Sequence, residues 1–247
     1  MKLFSVRLRL MLVCLLICFS VWQAPARLVE ILLPERLVLT AVSGSFWSGE
    51  AGRSALQLDD GALALGRASW HFSPLSLLLL RPTVTLSVEW SGQQLTGVFT
   101  RDLSGIVAIK NFHARFDSGL IRQFLPLYIG GRVIADFAEI AIASDKFLAL
   151  DGKLLWQNAV WAAAAGDVPL GDYQLSLSSD NNRVQGQVTT LSGTLIVAGD
   201  VVVAESDYEI DLDLSGPATT DPELAGALQL LAAPKPTGFD MVIKGSF

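Results

Sequence analysis

Cysteine is nearly missing from this 247-residue chain, and both copies, Cys14 and Cys18, lie in one apolar stretch near the start. Beyond that stretch there is no thiol, which excludes a disulfide scaffold and a cysteine-ligated zinc site. Within an apolar helix the two act as small hydrophobes. Histidine is equally scarce, with only His71 and His113, too few and too far apart in sequence for a clustered metal site. There is no Gly-x-Ser-x-Gly elbow, so a Ser-His-Asp reading of these histidines has no local support; two partly exposed strand histidines is the plain one. Gly130-Gly131 is followed by Arg132 with no Lys-Ser/Thr, which excludes a phosphate loop and leaves a turn or bulge feeding a strand. The residues thus suggest no catalytic, cofactor or metal site and no small-molecule substrate, and an enzyme is not expected.

Positive charge is also short. The chain has 18 basic and 24 acidic residues, and Lys2, Arg7 and Arg9 stand ahead of the apolar run, so the remainder is more acidic still. That argues against nucleic acid or an anionic membrane surface as a main partner.

What is present is apolar content of 51% with mean hydropathy +0.45. The one long apolar run is LMLVCLLICFSVWQA, Leu10 to Ala24, behind the basic residues. Two readings are open. Ala24-Pro25-Ala26 has the form of a signal-peptide cleavage site, although proline in it is awkward. Alternatively a helix from about Val6 remains as an anchor, with Trp22 at the far interface. The reading adopted is residues 1–26 as a membrane anchor (or signal peptide) and 27–247 as one exported β domain. Both readings leave the bulk of the chain outside the cytoplasm, since the early positive charges stay inside. Arg27 to Leu33 could extend the helix until Pro34 stops it.

From Leu37 onward, period-two alternation dominates. Thr83–Trp90, Tyr173–Ser178, Tyr208–Leu214 and Phe239–Lys244 alternate apolar and polar residues, the pattern of antiparallel strands with one wet face. Ser91-Gly92, Ser104-Gly105, Asp180-Asn181-Asn182 and Ser192-Gly193 are turn chemistry. Three short helices are expected: one opened by Ser73-Pro74 through Leu80, one capped by Asp117 from Gly119 to Leu125, and one opened by Asp221-Pro222-Glu223 to about Ala232 with Leu224, Leu228 and Leu231 on one face. The fold expected is all-β with an N-terminal membrane helix: an antiparallel curved sheet or sandwich with a few short helices.

Two features invite a role. Glu205, Asp207, Glu209, Asp211 and Asp213 alternate along one strand and would share a face. They read as a solvated face that discourages edge pairing, or as a docking surface for a basic partner. The stretch GSFWSGEAG, Gly44 to Gly52, frames Phe46 and Trp47 with glycines. On a strand the two rings would face opposite sides, one filling the core, with glycine beside Trp47 letting its ring lie against backbone. Gly152 to Ala159, around Trp156, is a faint echo of the same arrangement.

Val42 to Gly49, then Ala68 to Leu75 with Trp70 and Pro74, then Gly152 to Trp156 and Pro169 to Tyr173, and a tail ending GSF, occur in an order that resembles the type II secretion system protein N family. The resemblance covers nearly the whole chain and carries over no catalytic residue. It implies a single-pass protein of the bacterial inner membrane with its main domain in the periplasm. Its partners would be other type II secretion proteins, and its role structural or accessory in export of folded proteins across the outer membrane. From the residues alone, a periplasmic lipid-binding or transfer domain with an apolar groove, and an outer-membrane β-barrel ending in alternating Phe239 to Phe247, stay open as alternatives.

Overall fold

The computed structural model describes residues 11, 12, 16, 19, 20, 22–33, 36–58, 61–123, 129–143, 146–163, 166–180, 183–204 and 207–246. The chain divides into two compact units, one ending at Ser91 and one beginning at Gly92.

In the first unit β1 (Leu37–Gly44), β2 (Ser48–Leu58), β3 (Gly61–Phe72) and β4 (Thr83–Trp90) pair in sequence order, each antiparallel to the last. Alternation puts Ala51, Ala68 and Val88 in one cross-strand row, all buried, with buried Trp70 two residues along the same face. A bulge interrupts β2–β3, and there the buried Ser54 hydroxyl donates to the Gly66 carbonyl at 3.0 Å, satisfying both groups. Between β3 and β4 lies α1 (Pro74–Leu78), started by proline at its first position as expected. Ser73 does not cap it through its side chain; instead the Ser76 hydroxyl donates to the Ser73 carbonyl at 2.6 Å.

In the second unit ten strands form an antiparallel sheet: β5 (Gln93–Arg101), β6 (Val107–Asp117), β7 (Ile129–Ala143), β8 (Lys146–Ala163), β9 (Gly166–Asp180), β10 (Arg183–Gly193), β11 (Ile196–Ala204), β12 (Asp207–Ser215), β13 (Ala233–Lys235) and β14 (Gly238–Ser246). Neighbours follow sequence order except at the end, which runs β12-β14-β13. The connection between β12 and β13 holds a 3-10 turn, Pro217–Thr220, and α2 (Pro222–Leu231). Asp221 caps α2, its Oδ1 accepting from the Glu223 and Leu224 amides at 3.1 and 3.0 Å. Leu224 and Leu228 of α2 pack with Tyr173, Leu195, Val197, Leu214 and Phe239 into the unit's core. Leu231, expected on that face, is exposed instead, because the helix ends there and Ala232 turns extended.

The all-β, antiparallel expectation with few short helices holds, and the sheets are open ones. The sandwich alternative does not: within each unit the strands pair side by side in one open antiparallel ladder, in sequence order except for the closing β12-β14-β13. The expected strands all form, but β7 and β8 run to 15 and 18 residues. Bulges carry them through residues that read as breaks, including Gly131 (φ 116°) and Asn158 (φ 49°). Gly130-Gly131 is thus the bulge foreseen. Asp180 pairs with Arg183, so the Asn181-Asn182 hairpin forms, its two tip residues lying outside the described set. The Asp117 cap is also found: its Oδ1 accepts from the Gly119 amide at 2.7 Å, opening a 3-10 turn, Ser118–Gln123, while Leu125 and Pro126 lie outside the described residues.

Most of the expected membrane helix lies outside the described residues. Among those described, no helix is long and apolar enough to cross a membrane, which does not bear on strand-crossing proteins. Arg27–Leu33 does not extend a leader helix. Pro25 is extended and bridges Ser45, and Ala26–Leu32 forms a separate 3-10 turn with Ala26 and Val29 buried in the first unit.

Candidate functional site

GSFWSGEAG forms the bend between β1 and β2, and it behaves as a hub. Phe46 and Trp47 are not on a strand, so they do not face opposite sides: their rings meet edge to face at 5.2 Å. Phe46 also stacks on Phe72 of β3 at 5.0 Å. The Phe46 amide donates to the Ala24 carbonyl at 2.8 Å, and the Phe72 amide to the Trp47 carbonyl at 2.7 Å. The Trp70 indole donates to the Phe46 carbonyl at 3.1 Å. The bend therefore ties the end of the leader to the end of β3.

The glycine in this frame serves a different ring from the one expected. A Cβ on Gly49 would fall 2.6 Å from Trp70 Cζ2 and 2.7 Å from the Ser43 carbonyl oxygen, so Gly49 makes room for Trp70. Trp70 is 6% exposed, whereas Trp47 is half-buried. The Gly152–Ala159 echo is not structural, since that stretch runs inside β8; its Trp156 nonetheless donates from its indole to a backbone carbonyl, that of Gly130, at 3.1 Å.

On the other face of the first unit, Ser43, Glu50, Ser69, His71, Thr85 and Ser87 line an open groove of about 530 Å³. The Ser43 hydroxyl contacts Glu50 Oε1 at 3.4 Å, and the Ser69 hydroxyl contacts the Ser87 carbonyl at 3.5 Å. Neither hydroxyl is directed at His71, and a nucleophile needs its base within hydrogen-bond reach.

In the second unit His113 Nδ1 pairs with Asp136 Oδ1 across β6 and β7, both side chains more than half exposed. They border a second shallow groove of about 370 Å³ with Gln94, Thr96 and Arg115. Sequence reasoning missed this pair, because only the β6–β7 register brings residues 23 apart together. A carboxylate-oriented imidazole is a fragment of acid–base machinery, but this one stands in solvent, where such a pair adds about 0–1 kcal/mol. Among the described residues no group of three His, Cys, Asp or Glu side chains is placed to hold a metal ion.

Asp207, Glu209, Asp211 and Asp213 do share an exposed face of β12, and Glu205 lies outside the described residues. β12 is not an edge, being paired on both sides with β11 and β14, so edge protection is not their role. Lys244 Nζ reaches Glu209 at 2.7 Å, and Lys235 Nζ bridges Asp213 at 2.8 Å and Asp240 at 3.1 Å. Hydrogen bonds to Asp213, then to Asp240, raise the Lys235 pKa. Asp200 stands directly opposite Asp211, so six carboxylates face two lysines on this patch. It remains an acidic, solvated surface.

Among the described residues, the buried group whose pKa is pushed furthest is Tyr173. Burial, then the neighbouring Asp172 carboxylate, pushes its pKa to about 12. Its hydroxyl donates to the Leu195 carbonyl at 2.8 Å beneath α2, which is a packing contact.

The family described as "Type II secretion system (T2SS), protein N" matches residues 35–241. A protein of Aeromonas hydrophila named type II secretion system protein N is 29% identical over 194 residues, covering 73% of each chain. One of Vibrio cholerae serotype O1 with the same name is 29% identical over 171 residues, 65% of this chain and 63% of that one. No solved structure matches.

Proposed function

Because this chain belongs to the type II secretion system protein N family, we propose that it is an inner-membrane-anchored component of that system whose main body lies in the periplasm. It acts there as a structural or accessory part in export of folded proteins across the outer membrane. It works by binding other secretion-system proteins, with no catalytic, cofactor or metal site of its own. The observation that carries this reading is the family match over 35–241, which spans both units. The anchor rests on separate support: the basic residues ahead of the apolar run, and the folding of Ala24, Pro25 and Ala26 into the first unit through the Phe46 amide, the Ser45 bridge and burial of Ala26. A leader that ends inside the domain's own hydrogen bonding is suited to being kept.

The test is affinity capture of the full chain from detergent-solubilised envelopes of a strain with an active type II system. Recovery of other components of that system supports the proposal. Recovery of the chain alone, with intact components in the unbound fraction, contradicts it.

A further inference from the structure

We propose that α1 and the turn after it, the leucine-rich knuckle Leu75–Leu80, dip into the same bilayer that holds the leader. The proposal rests on the anchored reading above for the membrane concerned.

Leu75, Leu77, Leu78, Leu79 and Leu80 are 70%, 41%, 79%, 75% and 58% exposed, and α1 buries no residue. Successive helical residues lie about 100° apart, so Leu75, Leu78 and Leu79 share one face and Leu77 lies nearly opposite. An exposed leucine face, with Leu77 off it and Leu80 in the turn beyond, is an apolar knuckle suited to lie in the interface of a bilayer. Leu80 sharpens the point. The Arg81 amide donates to the Ser76 carbonyl at 2.9 Å, and Leu80 has φ 54°, so it holds the left-handed position at the helix end where glycine is favoured. A leucine there is strained, and in water its side chain gains nothing in return.

Position supplies the second argument. Ala24, at the end of the apolar run, is bonded to Phe46. Phe46 stacks on Phe72, and Phe72 is two residues before α1. The knuckle and the leader's exit therefore lie at one end of the first unit. The described apolar side chains of the leader, Met11, Leu12, Leu16, Phe19 and Trp22, are all exposed as well. Exposed Arg81 follows the leucines, placed to sit at phosphate level while they enter the acyl boundary. The contact is apolar, so the acidic character of the exported part does not oppose it.

The experiment uses the full chain with Cys14→Ser and Cys18→Ser, reconstituted in phosphatidylethanolamine–phosphatidylglycerol vesicles. An environment-sensitive fluorophore is placed at Leu78→Cys or, as control, at Gln57→Cys. Gln57 is exposed at the far end of β2, eight residues and about 27 Å of strand from Gly49. The proposal predicts a blue-shifted label at 78 that loses most of its emission when lipids carry a shallow doxyl quencher, and no such loss at 57. Equal quenching at the two sites, or a blue shift at 78 that lipid quenchers do not touch, overturns it; the latter would mean a protein partner. Carbonate extraction of the same vesicles reports the leader separately. Retention without quenching at 78 sinks the knuckle and leaves the anchor; release at high pH with quenching at neutral pH does the reverse.

Discussion

Residue-scale predictions centre on Trp70, whose buried indole also satisfies the Phe46 carbonyl. Trp70→Ala is expected to destabilise the protein by about 3–5 kcal/mol through lost apolar burial and a cavity. Gly49→Ala should cost about 1–3 kcal/mol, because the new methyl meets the Trp70 ring and a backbone oxygen together. Denaturant melts measure both; a Gly49→Ala protein that melts like the parent would show that the bend relaxes freely. His113→Gln should leave export and the melt nearly unchanged, since its partner contact is solvent-exposed. Full loss of export by a folded His113→Gln protein would reveal chemistry at that pair. Tyr173 gives a pH signature. Its folded pKa of about 12 exceeds the ordinary tyrosine value near 10, so the folded state holds a proton that the unfolded state has released. Stability from this group is complete below about pH 10 and is lost as pH rises through about 12. Tyr173→Phe should flatten the alkaline slope of stability while costing about 1 kcal/mol at neutral pH from the lost hydrogen bond. At this scale the sequence told which residues matter, Trp70 and the glycines around Trp47, but not who touches whom. Phe46 and Trp47 sit in a bend, so strand alternation misassigned their sides.

Element-scale expectations were clearest where local chemistry decides. Asp221-Pro222-Glu223 reads as a helix start because capping depends on three consecutive residues, and the cap is made by the side chain expected. Asp221→Ala should lower stability by about 1 kcal/mol, with the loss concentrated in protection of α2 amides from exchange. Unchanged α2 exchange would mean that packing of Leu224 and Leu228 alone holds the helix. Strand positions were equally legible from alternation, but strand lengths were not. Bulges at Gly131 and Asn158 shift the phase of the pattern while the ladder continues, so a period-two reading stops early. The acidic row was placed on one face correctly, yet its meaning depended on whether β12 is an edge. That is a matter of pairing between distant segments, and no local pattern reports it.

At the scale of the whole molecule, two compact units arise without any Pro- or Ser-rich linker between them; a two-residue turn, Ser91 (φ 38°) and Gly92 (φ 78°), marks the change. Short connections put most strands beside their sequence neighbours, which is why an antiparallel all-β fold could be foreseen while a sandwich could not be dismissed from sequence. Function was legible only through the order of weak motifs. The leader should be retained: mass spectrometry of the membrane-extracted protein is expected to find the apolar run intact, and a mature N-terminus at Arg27 would establish cleavage. The central claim is that the chain serves type II export by binding. The most direct measurement is the extracellular fraction of a folded type II substrate in cells deleted for this chain and complemented from a plasmid. The account predicts that secretion falls on deletion and returns with the full chain and equally with a His71→Gln, His113→Gln double variant. Secretion unchanged by the deletion would contradict it.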